Sequence, residues 1–115
     1  SRGLGDVYKR QLITILLDNA VKYTNERGRI DVTLGKKKNR FYLSVFNTTE
    51  YISKEQTSRL FDRFYRTDIS RNSQTGGYGL GLSIAAATAD SHKGKIMAET
   101  EDEKSLRITV TFPGQ

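Results

Sequence analysis

Glycines crowd one short stretch of this 115-residue chain, and an apolar, alanine-rich run follows them directly. The run extends from Leu80 to Ala89, and the glycines are Gly76, Gly77, Gly79 and Gly81. Because glycine has no Cβ, another group can approach its backbone closely, whereas Leu and Ala favour a helix. The pattern predicts a loop entering a helix N-terminus, where free N–H groups and the helix dipole favour an anion such as a phosphate. A glycine-rich surface loop that only caps a helix is the alternative.

A second group of polar residues lies on a predicted helix from Gln11 to Thr24, whose other residues are mostly apolar. Asn19, Lys22 and Tyr23 are three and four residues apart, so they share one face of that helix. An amide oxygen suits Mg²⁺, an ammonium group suits a phosphate, and an aromatic ring suits a base or a sugar. The alternative is a helix end that emerges into water, with Lys22 reaching solvent.

Composition limits the classes of function. With 36% hydrophobic and 28% charged residues, the chain suits one globular domain. No apolar run approaches the ~20 residues of a membrane span. The absence of cysteine excludes disulfides and thiolate metal sites, and a single histidine disfavours His-rich zinc sites. A formal net charge of +6 favours an anionic partner, which is a nucleotide, a nucleic acid, an acidic protein or a membrane surface.

The elements that must position these residues follow from periodicity and turn chemistry. Ser53, with Gln56 three residues later, predicts a capping box at the start of a helix. The predicted elements after the first helix are strands from Arg29 to Leu34 and Phe41 to Phe46, helices from Lys54 to Arg63 and Leu80 to His92, and strands from Lys95 to Thr100 and Ser105 to Phe112. The first strand is predicted to be half-buried, with Ile30, Val32 and Leu34 on one side, and the second to be central, because both of its faces carry apolar or aromatic residues. Leu60, Phe61 and Phe64 are predicted to form the apolar stripe of the helix that starts at Lys54. The segment from Gly35 to Arg40, with three consecutive lysines, predicts a solvated hairpin tip, and an acidic partner surface is the alternative.

Two segments lie outside these elements. The polar stretch from Tyr65 to Tyr78 is long for a loop and carries Arg66 and Arg71, so we expect a lid whose arginines meet phosphate oxygens. Ser1 to Arg10 has no apolar period, and we expect a disordered lead or a cloning scar before one domain over residues 11–115. The element order predicts an α+β fold, a two-layer sandwich with a mostly antiparallel sheet and helices on one face.

Three sequence boxes resemble those of sensor histidine kinases and occur in the same order. Residues 16–24 (LLDNAVKYT) resemble the asparagine box, residues 60–66 (LFDRFYR) the phenylalanine box, and residues 76–84 (GGYGLGLSI) the second glycine box. The resemblance implies the catalytic and ATP-binding domain of a two-component sensor kinase, on the Bergerat-type mixed-sheet fold of gyrase and heat-shock chaperone ATPases. Family members usually open with a further strand and helix, so the resemblance also implies a shortened N-terminus with an unpaired sheet edge.

The resemblance implies roles for residues in and beside these boxes. ATP and Mg²⁺ are the implied cofactors, with Asn19 as the Mg²⁺ ligand, Lys22 and Arg66 at the phosphates, and Tyr23 beside the nucleotide. Two aromatic residues, Phe61 and Phe64, are implied to anchor the lid. The further implied nucleotide contacts are Asn47, Ile52, Gly77, Gly79, Leu80 and Gly81.

The chain departs from the family pattern at two boxes. Ile15 stands where members usually carry a second asparagine of the asparagine box. The first glycine box usually reads Asp-x-Gly-x-Gly, but here Asn47 replaces the aspartate that accepts the adenine amino hydrogen, and Thr49 and Tyr51 replace the glycines. An amide oxygen still accepts that hydrogen bond, although without the help of a charge. We expect Tyr51 either to fill space near the base or to obstruct it.

The implied function is to bind Mg²⁺-ATP and present its γ-phosphate to a histidine on a separate dimerisation domain, which then serves a response regulator. The domain alone is not expected to autophosphorylate, and His92 is expected to be a surface or capping residue. A degenerate, non-catalytic nucleotide-sensing or partner-docking module of the same fold is the alternative. A nucleic-acid binder rests only on the net charge and on the lysines at 36–38, and it is not expected. The implied location is the cytoplasm, with a membrane-attached parent.

Overall fold

A computed structural model describes residues 2–65 and 81–114, with side chains from residue 7 onward, so the predicted lid and most of the second glycine box lie outside the described residues. The helices are α1 (Arg2–Tyr23), α2 (Lys54–Thr57) and α3 (Gly81–Ser91), and the strands are β1 (Ile30–Lys37), β2 (Arg40–Thr48), β3 (Lys95–Glu99) and β4 (Ser105–Pro113). This α+β order confirms the predicted fold class. No helix within the described ranges is both long and apolar enough to cross a bilayer.

The four strands form one sheet in the order β1-β2-β4-β3, and every neighbouring pair of strands is antiparallel. The predicted central strand is confirmed, because β2 pairs with β1 on one side and with β4 on the other. Side chains alternate between the two faces of a strand, so Leu43 and Val45 point to the same face as their cross-strand partners Val110 and Ile108. That face is buried.

The core lies between this sheet face and the helices α1 and α3. Leu12, Leu16 and Ala20 recur every fourth residue along α1 and are almost fully buried. Ala85 and Ala89 are fully buried on α3, where their small side chains take little space between the helix and its neighbours. The chain is therefore a two-layer sandwich, with the helices on one face of the sheet.

Helix α1 begins at Arg2, so residues 2–10 are helical and the expectation of disorder is wrong for them, whereas the alternative of a cloning scar stays a prediction. The side chains of residues 7–11 are exposed, so these turns extend the buried part of the helix into solvent. These first turns of α1 need no repeating pattern of apolar residues, because each residue added to an existing helix gains one hydrogen bond. The Tyr8 ring also contacts the His92 ring, with 4.3 Å between centroids.

The predicted capping box is confirmed, but the helix that follows it is much shorter than the predicted range from Lys54 to Arg63. Gln56 N donates to Ser53 Oγ at 3.0 Å, and Ser53 N donates to Gln56 Oε1 at 2.8 Å. The helix ends at Thr57, where hydroxyl groups bond to its carbonyls: Thr57 Oγ1 donates to Lys54 O and Ser58 Oγ donates to Glu55 O. Such side-chain bonds compete with helix propagation, and turns carry the chain onward.

Strand β1 is longer and more exposed than predicted. It runs to Lys37, so the turn contains only Lys38 and Asn39, and Lys38 adopts a φ of 56°. The predicted burial of Val32 and Leu34 is wrong, since they are 50% and 69% exposed. They point to the helix side of the sheet, but α1 and α3 pack over the other strands.

Candidate functional site

Helix α1 carries the predicted Mg²⁺ ligand close to the start of α3. Ile15 lies one turn before Asn19 on the same face of α1. The Ile15 Cγ2 atom is 3.7 Å from the position that a Cβ on Gly81 would occupy, and Gly81 is the first residue of α3. The structure therefore brings the polar face of α1 beside the helix N-terminus at which the sequence predicts an anion.

The three polar residues of that face differ in exposure. Asn19 and Tyr23 are half-buried, and Lys22, in the last turn of α1, is exposed. An exposed ammonium on a flexible stem reaches a ligand without paying a large desolvation cost. The half-buried Asn19 amide, in contrast, is partly shielded from solvent, where a metal ligand competes with less water.

Asn47 and Ile52, the predicted contacts on the base side, are both buried. Asn47 is 2% exposed, and its cross-strand neighbours are Ile30 on β1 and Leu106 on β4. Its Nδ2 donates to Thr48 O at 3.0 Å. This bond holds the amide nitrogen of Asn47 against the backbone of β2. The other side-chain atom, Oδ1, is the one that can accept a hydrogen bond.

The loop between β3 and β4 holds the altered first glycine box, a role that we did not predict. Thr49 N donates to Lys104 O and Ile52 N donates to Glu103 O, both at 2.9 Å. Within the loop, Asp102 Oδ1 accepts from Ser105 Oγ at 2.7 Å and from Lys104 N at 2.9 Å. These two bonds, the Ser105 bond first, lower the pKa of the Asp102 carboxyl. The spacing of Asp102 and Ser105 is the signal that identifies this turn in the sequence.

The two residues that replace glycines in this box are accommodated differently. Thr49 is buried, whereas Tyr51 is exposed and its hydroxyl lies 3.5 Å from Glu103 Oε2. The Tyr51 ring therefore does not fill space in the protein interior. Its ring points to solvent beside the β3–β4 loop.

The two aromatic residues of the phenylalanine box occupy different environments. Phe61 is half-buried and packs against the core, next to the buried Leu60. Phe64 is 60% exposed with a φ of 67°, so its predicted place on an apolar stripe is wrong. A φ in the left-handed region is unusual for a bulky residue, because its Cβ crowds the backbone there. The Arg63 guanidinium lies 5.0 Å from the Phe64 ring centroid.

Four of the remaining predicted residues cannot be placed in this geometry. Arg66, Gly77, Gly79 and Leu80 lie outside the described residues. His92 follows α3, where its Nδ1 is 2.9 Å from Thr88 O, which confirms the predicted capping position. The donor chemistry of the site fits Mg²⁺, since this ion prefers oxygen and takes one or two protein ligands besides phosphates and water. The Asn19 amide oxygen is a donor of this kind.

A separate pocket of about 270 Å³ lies on the opposite, open face of the sheet. The Phe46 ring lies between the guanidinium groups of Arg29 and Arg107, each 5.1 Å from the ring centroid. Arg107 Nη1 also donates to Ser44 Oγ at 2.8 Å. Of the predicted nucleotide-binding residues that the structure describes, none lines this pocket.

The sequence is similar to that of sensor kinases. Sensor protein CiaH of Streptococcus pneumoniae (strain TIGR4) is 45% identical over 110 residues, which cover 92% of this chain and 25% of CiaH. Sensor histidine kinase YkoH of Bacillus subtilis is 42% identical over 106 residues, which cover 92% of this chain and 23% of YkoH. The chain thus spans about a quarter of the length of these relatives.

Solved structures and the family comparison agree with this similarity. The catalytic domain of histidine kinase ThkA is 30% identical with a TM-score of 0.76, over 93% of this chain and 66% of that domain. Full-length ShkA in complex with AMPPNP is 25% identical with a TM-score of 0.77, over 92% of this chain and 21% of ShkA. Residues 7–115 match the family described as histidine kinase-, DNA gyrase B-, and HSP90-like ATPase. The chain belongs to this family, as an ATP-binding catalytic domain of the sensor histidine kinase type.

Proposed function

We propose that this chain binds Mg²⁺-ATP and presents the γ-phosphate to a histidine on a separate dimerisation domain of a two-component sensor kinase. The phosphorylated histidine then serves a response regulator. The parent kinase is membrane-attached, with this domain facing the cytoplasm. The similarity to CiaH, YkoH and full-length ShkA with AMPPNP supports this proposal.

One structural observation carries the proposal: the Ile15 side chain lies at the start of α3, with its Cγ2 atom 3.7 Å from the position that a Cβ on Gly81 would occupy. Because of this placement, the next turn of α1, with Asn19 and then Lys22, runs beside the N-terminus of α3. An amide oxygen, an ammonium group and a helix N-terminus together suit a triphosphate with its metal ion. The nucleotide therefore lies between α1 and α3, with its phosphates at Gly81.

The base then extends towards the end of β2. Asn47 is buried there with Oδ1 as its acceptor, which suits the amino hydrogen of adenine. Ile52 supplies an apolar surface for the ring, and its backbone is held by Glu103. Arg66 and the glycines at 77 and 79 complete the site from the lid, as the family resemblance implies.

Catalysis in this proposal is positioning and charge neutralisation. Bound Mg²⁺ neutralises phosphate charge, and the attacking nitrogen comes from another domain. Asn19 would hold the metal, Lys22 would meet phosphate oxygens, and the α3 N-terminus would orient the chain of phosphates. Because the nucleophile comes from elsewhere, this chain alone shows no autophosphorylation, and phosphate incorporated into it would contradict the proposal.

Calorimetric titration of Mg²⁺-ATP and Mg²⁺-ADP tests the nucleotide site, with Asn19→Ala as the variant. The matched control is Asp18→Ala, which removes the neighbouring, exposed carboxylate. We expect wild type and Asp18→Ala to bind alike and Asn19→Ala to bind at least about tenfold more weakly, a loss of ~1.4 kcal/mol. If Asn19→Ala binds the nucleotides as tightly as wild type does, Asn19 is not a ligand of the metal ion.

Phosphotransfer separates the kinase from a docking module, which is the alternative that Ile15 and Asn47 motivate. The chain is mixed with labelled ATP and a supplied dimerisation domain from a related kinase. A labelled histidine supports the proposal. Binding to the acceptor domain without a labelled histidine supports the docking module.

A further inference from the structure

Residues 49–52 of the altered first glycine box connect β2 to α2 and adopt no helix or strand conformation. Two backbone bonds hold this segment: Thr49 N donates to Lys104 O and Ile52 N donates to Glu103 O, both at 2.9 Å. Among the described residues, no other bond between backbone groups reaches the segment. The position of its backbone therefore depends on two consecutive carbonyl groups of the β3–β4 loop.

The Glu103 carbonyl reaches Ile52 because Glu103 adopts an unusual backbone conformation. Its φ is 61°, in the left-handed region that is unfavourable for a residue with a Cβ. The Thr100 hydroxyl offsets this cost, since its Oγ1 accepts a hydrogen bond from Glu103 N at 3.0 Å. Held at its nitrogen and rotated to this φ, Glu103 directs its carbonyl to Ile52 N.

Thr100 is well placed to hold the loop in this conformation. It follows directly after β3 and is 8% exposed, so little water competes for its hydroxyl. Its Oγ1 and the Glu103 carbonyl form a path of two hydrogen bonds that ends at the backbone of Ile52. A buried hydroxyl that does not line the proposed site therefore acts on it from behind.

The separation of the two base contacts depends on this path. Asn47 lies within the sheet, opposite Leu106 of β4, so the strand pairing fixes its backbone. Ile52 lies beyond the end of β2, and only the loop fixes it. Thr49 and Tyr51 restrict the segment between them more than glycines would, so its conformation is set before a nucleotide binds.

We infer that Thr100 is a positioning residue for the adenine base, which it serves by holding Glu103 and thereby the backbone of Ile52. The inference rests on the proposed function. It concerns the base and not the phosphates, because Asn19 and Lys22 lie on α1, to which the loop makes no backbone hydrogen bond within the described ranges. Loss of the Thr100 hydroxyl should therefore reduce selection of the base more than overall affinity.

The first test compares Mg²⁺-ATP with Mg²⁺-ITP by calorimetry in wild type, Thr100→Val and the matched control Thr57→Val. Thr57 is also 8% exposed, and its Oγ1 donates to Lys54 O within α2, so both variants exchange a buried, hydrogen-bonded hydroxyl for a methyl group. We expect wild type to bind ATP at least about tenfold more tightly than ITP. Thr100→Val should reduce this ratio at least about threefold, and Thr57→Val should leave it within about 1.5-fold.

The outcomes separate the inference from the proposed function. A wild-type chain that binds neither nucleotide contradicts the proposed function. If wild type prefers ATP and Thr100→Val keeps the same ratio, the inference alone is overturned, as it is when the two variants reduce the ratio equally. Thr100→Ser keeps the hydroxyl and should restore the wild-type ratio, which a change in packing alone would not do.

The second test follows the hydrogen-bond path in the nucleotide-free chain, by amide hydrogen exchange. The Ile52 amide should exchange at least about tenfold faster in Thr100→Val than in wild type, relative to the Val45 amide on the central strand β2. Thr100→Ser and Thr57→Val should leave the relative exchange of Ile52 unchanged. Unchanged protection of Ile52 in Thr100→Val overturns the inference, whatever nucleotides the chain binds.

Discussion

The backbone N–H of Ile52 donates a 2.9 Å hydrogen bond to the carbonyl of Glu103, which joins the first glycine box to the β3–β4 loop. The two residues are 51 positions apart in the numbering, and Thr49 N repeats the connection at Lys104 O. The loop therefore holds the segment that follows Asn47. Its conformation affects the base side of the proposed nucleotide site.

Glu103→Pro is expected to destabilise the chain by more than about 1 kcal/mol, because the native φ of 61° is incompatible with proline. The substitution also removes the N–H that donates to Thr100 Oγ1 at 3.0 Å. Glu103→Gly is the matched control, since glycine adopts the same φ and keeps the donor. Urea unfolding measures both variants, and equal stability of the two would show that the loop conformation is unimportant.

Asp102 is expected to titrate below its ordinary pKa, because Ser105 Oγ and Lys104 N donate to its ionised carboxylate. A lowered folded-state pKa contributes stability that is present above the ordinary carboxyl pKa and is lost as the pH falls through the folded value. Ser105→Ala should raise the Asp102 pKa and reduce the advantage of neutral over acidic pH. Carboxyl-detected NMR titration, with unfolding at neutral and acidic pH, tests both statements. An unchanged Asp102 pKa in Ser105→Ala would contradict them.

Asn47→Asp is expected to lower the stability of the nucleotide-free chain by about 1–3 kcal/mol at neutral pH. The new carboxylate is buried and loses the Nδ2 bond to Thr48 O, which leaves two oxygens facing each other. If the base lies at residue 47, ATP should stabilise Asn47→Asp more than ITP does. Only ATP carries a 6-amino group that can donate a hydrogen bond to the new carboxylate. Thermal shift with each nucleotide is the measurement. Equal shifts with ATP and ITP would place the base elsewhere.

The two phenylalanines of the phenylalanine box are expected to respond differently to truncation. Phe61→Ala should cost about 2 kcal/mol, somewhat less than for a fully buried phenylalanine, because Phe61 is half-buried against the core. Phe64→Ala should cost less than about 0.5 kcal/mol, because Phe64 is exposed. Phe64→Gly relieves the strain of the positive φ, so this variant should be at least as stable as Phe64→Ala. Equal losses for Phe61→Ala and Phe64→Ala would refute this assignment.

Features that depend on neighbouring residues in the chain were predicted well. The capping box of Ser53 and Gln56 and the central strand β2 were both identified from spacing alone. The family was identified from three boxes, because binding a nucleotide requires particular residue types at short separations.

Features that depend on distant parts of the chain were not predicted. The length of α1 before Gln11, the exposure of β1 and the early end of the helix after Ser53 all differ from expectation. An alternating strand pattern shows that one face is apolar, but it does not show whether a helix covers that face. Val32 and Leu34 are exposed for this reason.

The sequence by itself determined the α+β class, the family and the residue types of the candidate site, since these depend on composition, periodicity and short spacings. Only the tertiary structure placed Ile15 against Gly81 and joined Ile52 to Glu103. Those contacts link residues more than fifty positions apart, and packing decides them. No local pattern records which surfaces meet, because the free energy of such a contact depends on the whole fold.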